Sequence, residues 1–343
     1  CHRPHSGDCG GRNVRNRSVL FLIAAALAAA VALTAVYRGA RLISPVSGAP
    51  RKVIVIFKTI DYATTPFWGN VRDGVVSAGQ DFGISISIRG PAAETDVQGQ
   101  IAMMQQAIRE KPDAIILAAG DFNLLVPAAR DVKHHGMPLV CIDSFISSDD
   151  ADVRIGTDSY EGGQKCAAAL LRYVKPGDLV AIMSYVKGSS TAIDRESGVR
   201  DALGSTVRIL DTLYSNADAD LAYAQAARLI ARTPGLRGIV ALNDPTARGA
   251  ARALEESGKA ASIALIGFDN SLLVLHYVER GVIRDTVVQK PFNMGYLGVK
   301  AAWELMEHRR PPRFINTGSV DISRTNMFQP ENQKMLFPVS EGQ

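Results

Sequence analysis

The sequence lacks the short motifs that usually accompany catalysis or nucleotide binding. No G-x-G-x-x-G follows its first strand-like segment, and G-x-x-x-x-G-K-[ST], G-x-S-x-G and H-E-x-x-H are absent from the 343 residues. The six histidines are dispersed, apart from the neighbours His134 and His135, which would point in different directions on a helix. We therefore expect no enzyme, no catalytic residue, no metal site and no cofactor.

Paired cysteines and a basic surplus are also missing from the body of the chain. Cys141 and Cys166 lie in apolar segments, and no two of the four cysteines have metal-ligand spacing, so we predict small buried thiols. The net charge of +4 arises before residue 49, where six arginines and one aspartate leave 32 basic and 33 acidic residues to the rest. Such a near-neutral body does not favour nucleic acid as a partner.

The first 50 residues predict export. A basic flank at 1–17 precedes an apolar segment at 18–37, and a linker follows at 38–50. Arginines before a long apolar run hold the flank in the cytoplasm, as in a signal peptide or a membrane-spanning helix. A cleaved signal and an uncleaved anchor both remain open. Either one places the body in the periplasm or at the outer face of the cytoplasmic membrane.

From residue 53 onward, apolar strand-like segments alternate with helical ones. Val53–Phe57, Ala114–Ala118 and Leu139–Asp143 are continuous apolar runs, typical of parallel strands covered on both faces. Pro66–Phe82 and Asp96–Lys111 have helical periodicity. Further strands are predicted at Leu179–Met183, Val207–Leu213, Ile239–Leu242 and Ile263–Phe268. This alternation predicts an α/β protein, and so many strands require two parallel sheets.

Several polar and aromatic residues stand beyond the strand ends, where open parallel sheets bind their ligands. Carboxylates and amides bind hydroxyl groups, and aromatic rings pack on the C–H faces of a sugar. The candidate ligand-binding residues are Phe67, Trp68, Asp143, Asn243, Asp269 and Gln289. Structural roles remain open for four of them: helix caps for Asp143 and Asp269, a core position for Phe67 and a turn for Asn243. The loop Gly188–Thr191 could hold an anion or cap a helix.

A set of matching stretches carries a family resemblance over about 53–320. The set includes TPFWGNVRDGV, PDAIILAAGD, MPLVCIDS, IGTDSYEGGQ, VALNDPTARGAARAL and ALIGFDNS. It resembles type I periplasmic solute-binding proteins, specifically their ribose- and galactose-binding branch. The resemblance implies two similar doubly wound parallel-sheet lobes, joined by a three-stranded hinge and closing over a ligand. We predict an N-terminal lobe of 51–153 plus 290–317 and a C-terminal lobe of 154–289 plus 318–343.

The chain departs from that family's pattern at two positions. Sugar binders of the branch often carry arginine after the strand-end aspartate, where this chain has Ser144, and five residues before the glycine of IDRESGV, where it has Ile193. Serine and isoleucine cannot replace the rigid fork of donors of an arginine. Arg195 is a seventh candidate ligand-binding residue, with a structural ion pair as the alternative. The ligand therefore need not be ribose.

The resemblance implies capture of a sugar or sugar-like small molecule by hinge closure, for delivery to an ABC-type importer, by a monomer. The alternative is a membrane-anchored ligand sensor that presents its closed form to a receptor such as a histidine kinase. A sugar-responsive repressor shares the core fold, but the apolar segment at 18–37 stands where its DNA-binding domain would be.

Overall fold

Thirteen strands in the described part of the chain form two sheets. The structure, a computed structural model, describes residues 50–336. The strands are β1 (Lys52–Ile56), β2 (Ser85–Arg89), β3 (Ala114–Leu117), β4 (Leu139–Ile142), β5 (Val153–Gly156), β6 (Leu179–Ser184), β7 (Arg208–Ile209), β8 (Leu213–Tyr214), β9 (Leu236–Ala241), β10 (Ala264–Phe268), β11 (Asp285–Val288), β12 (Phe314–Asn316) and β13 (Val320–Ser323).

Each sheet has a crossover order. The first sheet runs β12-β5-β4-β3-β1-β2, and all of its neighbouring strands are parallel. The second runs β13-β11-β10-β9-β6-β7, with β8 also paired to β6. Its strands are parallel except β13, which is antiparallel to β11. Parallel neighbours require crossover connections, and helices supply them.

Residues 50–336 also form ten helices, of which the first nine connect strands and the last follows β13. They are α1 (Pro66–Phe82), α2 (Val97–Glu110), α3 (Val126–His134), α4 (Ser159–Leu171), α5 (Ser190–Leu203), α6 (Ala219–Arg232), α7 (Asp244–Glu256), α8 (Leu272–Glu279), α9 (Pro291–Met306) and α10 (Pro330–Leu336). Pro66 opens α1, where its fixed φ suits the first turn, and Gly83 ends it with a left-handed φ of 63°.

Helices cover both faces of each sheet, which explains the continuous apolar strands. In β1, Val53 and Val55 pack with α1 and α9, whereas Ile54 and Ile56 pack with α2 and α3. In the second sheet, α4 and α5 cover one face, and α6, α7 and α8 cover the other. A strand with helices on both faces must be apolar at every position. The two layered sheets confirm the predicted fold class.

The chain crosses between the sheets three times within residues 50–336: after β5, before α9 and between β12 and β13. β5 pairs with β4 and β12. Residues 154–156 therefore lie in the first sheet, although the predicted boundary assigned them to the second lobe. The remaining lobe boundaries stay a prediction.

One predicted strand is wrong. Val207–Leu213 forms two short strands, because β7 pairs with the start of β6 and β8 with its end. The exposed Asp211 lies where the chain leaves the sheet between them.

The predicted basic flank, the apolar segment and nearly all of the linker lie outside the described residues. Among the helices of residues 50–336, none combines the length and the apolar character that crossing a bilayer requires. Cys141 and Cys166 are buried free thiols, as predicted, and burial raises the pKa of Cys141 to about 12.

Candidate ligand-binding site

A cavity lies between the two sheets, at the ends where their parallel strands finish. It holds about 390 Å³ of unoccupied space, including the space open to solvent at its mouth. All seven residues predicted from the sequence line it: Phe67, Trp68, Asp143, Arg195, Asn243, Asp269 and Gln289. The structure thus brings the predicted set together, and ligand binding by these residues stays a prediction.

Two aspartates occupy equivalent positions in the two sheets. Asp143 follows β4 and Asp269 follows β10, and both have left-handed backbones, with φ of 59° and 71°. Aspartate tolerates this conformation better than most residues, but it is uncommon and typical of functional positions. Each amide still donates to a neighbouring strand, Asp143 to the carbonyl of Ile155 and Asp269 to that of Val287, both at 2.8 Å. Neither aspartate caps the helix that follows it in the chain, because α8 is capped by Ser271 and no helix directly follows Asp143.

Asp143 forms an ion pair inside the cavity. Its Oδ2 lies 3.0 Å from Nζ of Lys58, and both side chains are at most 5% exposed. Lys58 also donates to Oγ of Ser189 at 3.0 Å. Ser189 precedes α5, yet its hydroxyl makes no capping bond. A cation therefore contacts the Gly188–Thr191 loop, where the sequence suggested an anion or a cap. A buried carboxylate without a partner would be costly, and Lys58 supplies that partner for Asp143.

Asp269 belongs to a chain of hydrogen bonds along the second sheet. Its Oδ1 accepts from Nε2 of Gln289 at 2.7 Å, and its Oδ2 accepts from the amide of Asp244 at 3.2 Å. Gln289 in turn accepts at Oε1 from Nη2 of Arg195 at 3.0 Å. Burial raises the pKa of Asp269 to about 6, although the charge of Arg195 opposes that shift. The site therefore holds a carboxyl group that titrates near neutral pH.

Arg195 is locked in the cavity wall. Its Nη1 donates to the carbonyl of Leu242 at 2.9 Å, and its guanidinium lies 3.8 Å from the ring centroid of Phe268. Close packing of α4 on α5 positions its backbone, because a Cβ added to Gly163 would lie 2.2 Å from the Arg195 carbonyl oxygen. Ile193, on the same helix, is 40% exposed. Residue 195 rather than 193 therefore supplies the arginine of this wall.

Asn243 has a structural and a cavity-facing role at once. Its Oδ1 accepts from the amide of Thr246 at 3.1 Å and from the hydroxyl of the same residue, which caps α7. The cap occupies the amide oxygen and fixes the side chain, so the Nδ2 donors are the atoms available to a ligand.

The two aromatic residues enter from the start of α1. Trp68 is buried, packs 5.3 Å from Phe57 between ring centroids, and donates from Nε1 to Oε1 of Glu94 at 2.8 Å. Phe67 is half-buried and meets Trp68 edge to face, with centroids 5.1 Å apart. Removal of Glu94 from water raises its pKa, although Lys58 and the Trp68 bond oppose the shift.

The sequence prediction missed further lining residues, namely Lys58, Thr65, Glu94, Tyr185, Thr191, Asp244 and Pro245. Three of them obey the strand-end rule. Lys58 follows the apolar run of β1, Tyr185 follows β6 and Asp244 follows Asn243. Glu94 lies in a loop before α2 and carries no comparable signal.

The two lobes touch across the cleft. Loops of the first lobe hydrogen bond to the second at distances of 2.5 to 3.0 Å. These contacts join Lys58 to Ser189, Phe122 to Gly188, Phe145 to Ser190 and Thr64 to Arg248. The structure therefore describes a closed arrangement, in which a bound molecule would be held from both sides.

No cluster of three metal ligands occurs in residues 50–336. A closed cleft lined by carboxylates, amides and aromatic rings, between two α/β lobes, defines a binding protein for small polar molecules.

Comparison with known proteins agrees with that class. The chain matches the model of the periplasmic binding protein domain over residues 56–310. It is 26% identical over 270 residues to the D-allose-binding periplasmic protein of Escherichia coli, which covers 76% of this chain and 86% of that protein.

Two solved structures are similar over nearly the whole described chain. One is an ABC transporter solute-binding protein from Agrobacterium vitis with bound D-fucose, with 34% identity and a TM-score of 0.80, covering 83% of this chain and 100% of that one. The other is a carbohydrate transporter solute-binding protein from Agrobacterium radiobacter in complex with D-arabinose, with 27% identity and a TM-score of 0.81, covering 84% and 100%.

Because the family model matches most of its length, the chain belongs to the periplasmic binding protein domain family. This confirms the family resemblance found in the sequence. It also confirms the expectation of a binding protein rather than an enzyme.

Proposed function

We propose that the protein captures a sugar or sugar-like small molecule in the periplasm, by closure of its two lobes, and delivers it to an ABC-type importer. The convergence of the predicted residues from both lobes on one cavity supports this most directly. Closure removes water from the cavity, and each polar contact with the ligand strengthens in the lower dielectric.

The proposed division of work follows the chemistry of each side chain. Phe67 and Trp68 pack on the apolar faces of the ring. The polar contacts with ring hydroxyls come from Asp143, Arg195, Asn243, Asp269 and Gln289. Lys58 pairs with Asp143 from within the first lobe.

Transport is favoured over the sensor alternative. The relatives include a D-allose-binding periplasmic protein and an ABC transporter solute-binding protein. Their named roles support an importer as the partner. The membrane anchor, the position at the outer face of the membrane and the monomeric state stay predictions.

A thermal-shift panel tests the proposed function. The purified protein is heated with D-ribose, D-allose, D-arabinose or D-fucose, and with sodium gluconate as a charged comparison. A sugar at 100 times its Kd stabilises the fold by about 2.7 kcal/mol. The absence of stabilisation by every neutral sugar of the panel would contradict the proposal.

The variant Asp269→Asn ties the stabilisation to this cavity. We expect it to lose most of the sugar-induced shift, because the amide removes an acceptor for ligand hydroxyls. Asp220→Asn is the matched control, since the Asp220 side chain is 92% exposed on the second lobe. An equal loss in both variants would mean that the shift does not report on the cavity.

A further inference from the structure

Asp244 carries the least satisfied carboxylate of the cavity wall. It is the first residue of α7, is 3% exposed and lines the cavity. Its Oδ1 accepts from Nε of Arg248 at 2.6 Å. Its Oδ2 is buried and has no hydrogen-bond partner among residues 50–336. A buried acceptor without a partner is costly, and native proteins rarely keep one unless it serves a function.

A donor in the same wall is unmatched in the same way. Nε of Arg195 is buried and has no partner within the described chain, while both of its Nη atoms are occupied. Two residues that line the same cavity thus carry one buried acceptor and one buried donor without partners. A hydroxyl group both donates and accepts, so a polyhydroxylated ligand satisfies both kinds of atom.

The other oxygen of Asp244, Oδ1, is connected to the first lobe through Arg248. Arg248 binds Oδ1 of Asp244 through Nε and donates from Nη2 to the carbonyl of Thr64 at 2.5 Å. Thr64 belongs to the first lobe and lies two residues before the helix that carries Phe67 and Trp68. The Arg248–Thr64 bond exists only when the lobes meet. Arg248 therefore connects a carboxylate of the cavity wall to a contact that forms only when the lobes are closed.

We propose that Asp244 is a ligand-binding residue whose Oδ2 accepts a hydrogen bond from a sugar hydroxyl, and that Arg248 is a positioning residue that couples this contact to lobe closure. The inference rests on the proposed function and adds one contact and one coupling to it. Ligands that present a hydroxyl at this point bind more tightly than their deoxy analogues.

A purely structural role for Asp244 makes a different prediction. A carboxylate in the first turn of a helix is stabilised by the helix dipole, and an i,i+4 pair with arginine adds to this. In that case removal of its charge lowers the melting temperature and leaves sugar affinity unchanged. The two roles are thus separable by measuring both quantities on the same variants.

The test compares Asp244→Asn with wild type by isothermal titration calorimetry, using whichever of D-ribose, D-allose, D-arabinose and D-fucose binds wild type most tightly. We expect affinity to fall about 10- to 100-fold, the range for losing a hydrogen bond to a charged group. Glu256→Gln is the matched control, because Glu256 forms the same kind of i,i+4 pair with Arg252 on the exposed side of α7. It should leave affinity unchanged.

Arg248→Gln tests the coupling. We expect weaker sugar binding together with a smaller sugar-induced decrease in the radius of gyration by small-angle X-ray scattering, a readout that a merely structural residue would not move. If no sugar binds wild type, the proposed function fails and the inference fails with it. If wild type binds but Asp244→Asn binds equally well, only the inference is refuted. An unchanged compaction in Arg248→Gln refutes the coupling.

Discussion

Gly188 provides a way to penalise the closed form without touching the cavity. It lies in the loop between β6 and α5, and its carbonyl accepts from the amide of Phe122 in the first lobe at 2.8 Å. A Cβ added to Gly188 would lie 2.0 Å from Oδ2 of Asp121. Asp121 cannot easily retreat, because its Oδ1 accepts from the amides of Asn123 and Leu124, both at 2.8 Å.

The clash exists only when the lobes are closed, since Gly188 and Asp121 belong to different lobes. Gly188 does not have a positive φ, so its backbone accepts alanine in the open form. Inserting a methyl group into a packed contact costs about 1–3 kcal/mol. We therefore expect Gly188→Ala to weaken sugar binding about 5- to 150-fold, with little change in the melting temperature of the ligand-free protein.

Calorimetric titration with the sugar found in the thermal-shift panel measures this loss. Gly235→Ala is the matched control, because Gly235 lies in the second lobe, also lacks a positive φ, and has open space around its Cβ position. The double variant Gly188→Ala with Asp121→Ala should regain most of the affinity, since it removes the clashing carboxylate. Wild-type affinity in Gly188→Ala, or no recovery in the double variant, would refute closure as the source of affinity.

Two further predictions concern Asp269 and Trp68. Because burial in the closed arrangement raises the pKa of Asp269 to about 6, this carboxylate binds a proton more tightly in the closed fold than in the unfolded chain. It therefore contributes up to about 3 kcal/mol to the stability of the closed fold as pH falls from 7 to 4. Sugar affinity should fall below about pH 6, because the ionised acceptor is lost. In Asp269→Asn, both the pH dependence of stability, measured by urea unfolding, and that of sugar affinity, measured by calorimetry, should weaken. Equal pH profiles in wild type and Asp269→Asn would contradict this prediction. Trp68 lines the cavity, whereas Trp303 stacks on Phe82 away from it. Sugar should therefore change the tryptophan emission of wild type and of Trp303→Phe, but not that of Trp68→Phe. A full change in Trp68→Phe would mean that the ligand binds elsewhere.

The strand-end rule explains why so much of the candidate site could be read from the sequence. Parallel strands finish at the same edge of a sheet, so residues far apart in the chain, such as Asp143, Asn243 and Asp269, meet there by topology alone. The strands can also be identified from neighbouring residues alone, because helices cover both faces of each sheet and every position of a strand covered in this way is apolar. These features require no knowledge of side-chain packing.

The features that the sequence did not predict depend on side-chain packing and strand pairing. Lys58 stands one residue beyond Phe57, and a lysine in that place is ordinarily exposed, whereas here it is buried against Asp143. Val207–Leu213 has the composition of one strand, but its pairing with both ends of β6 divides it. The direction of Arg195 depends on how closely α4 approaches α5, which a single sequence does not reveal.

The two departures from the family pattern now have different meanings. Arg195 restores a guanidinium to the wall, so isoleucine at 193 removes no polar contact from the cavity. Ser144 does remove a polar contact, because its hydroxyl donates to the backbone carbonyl of Ala119 at 2.7 Å and is not free to bind a ligand. Lys58 fills that electrostatic role from another strand, but as a compact ammonium rather than a planar fork. The polar groups around Asp143 therefore differ in position from those of an arginine-bearing site, and this difference should select a sugar of a different shape.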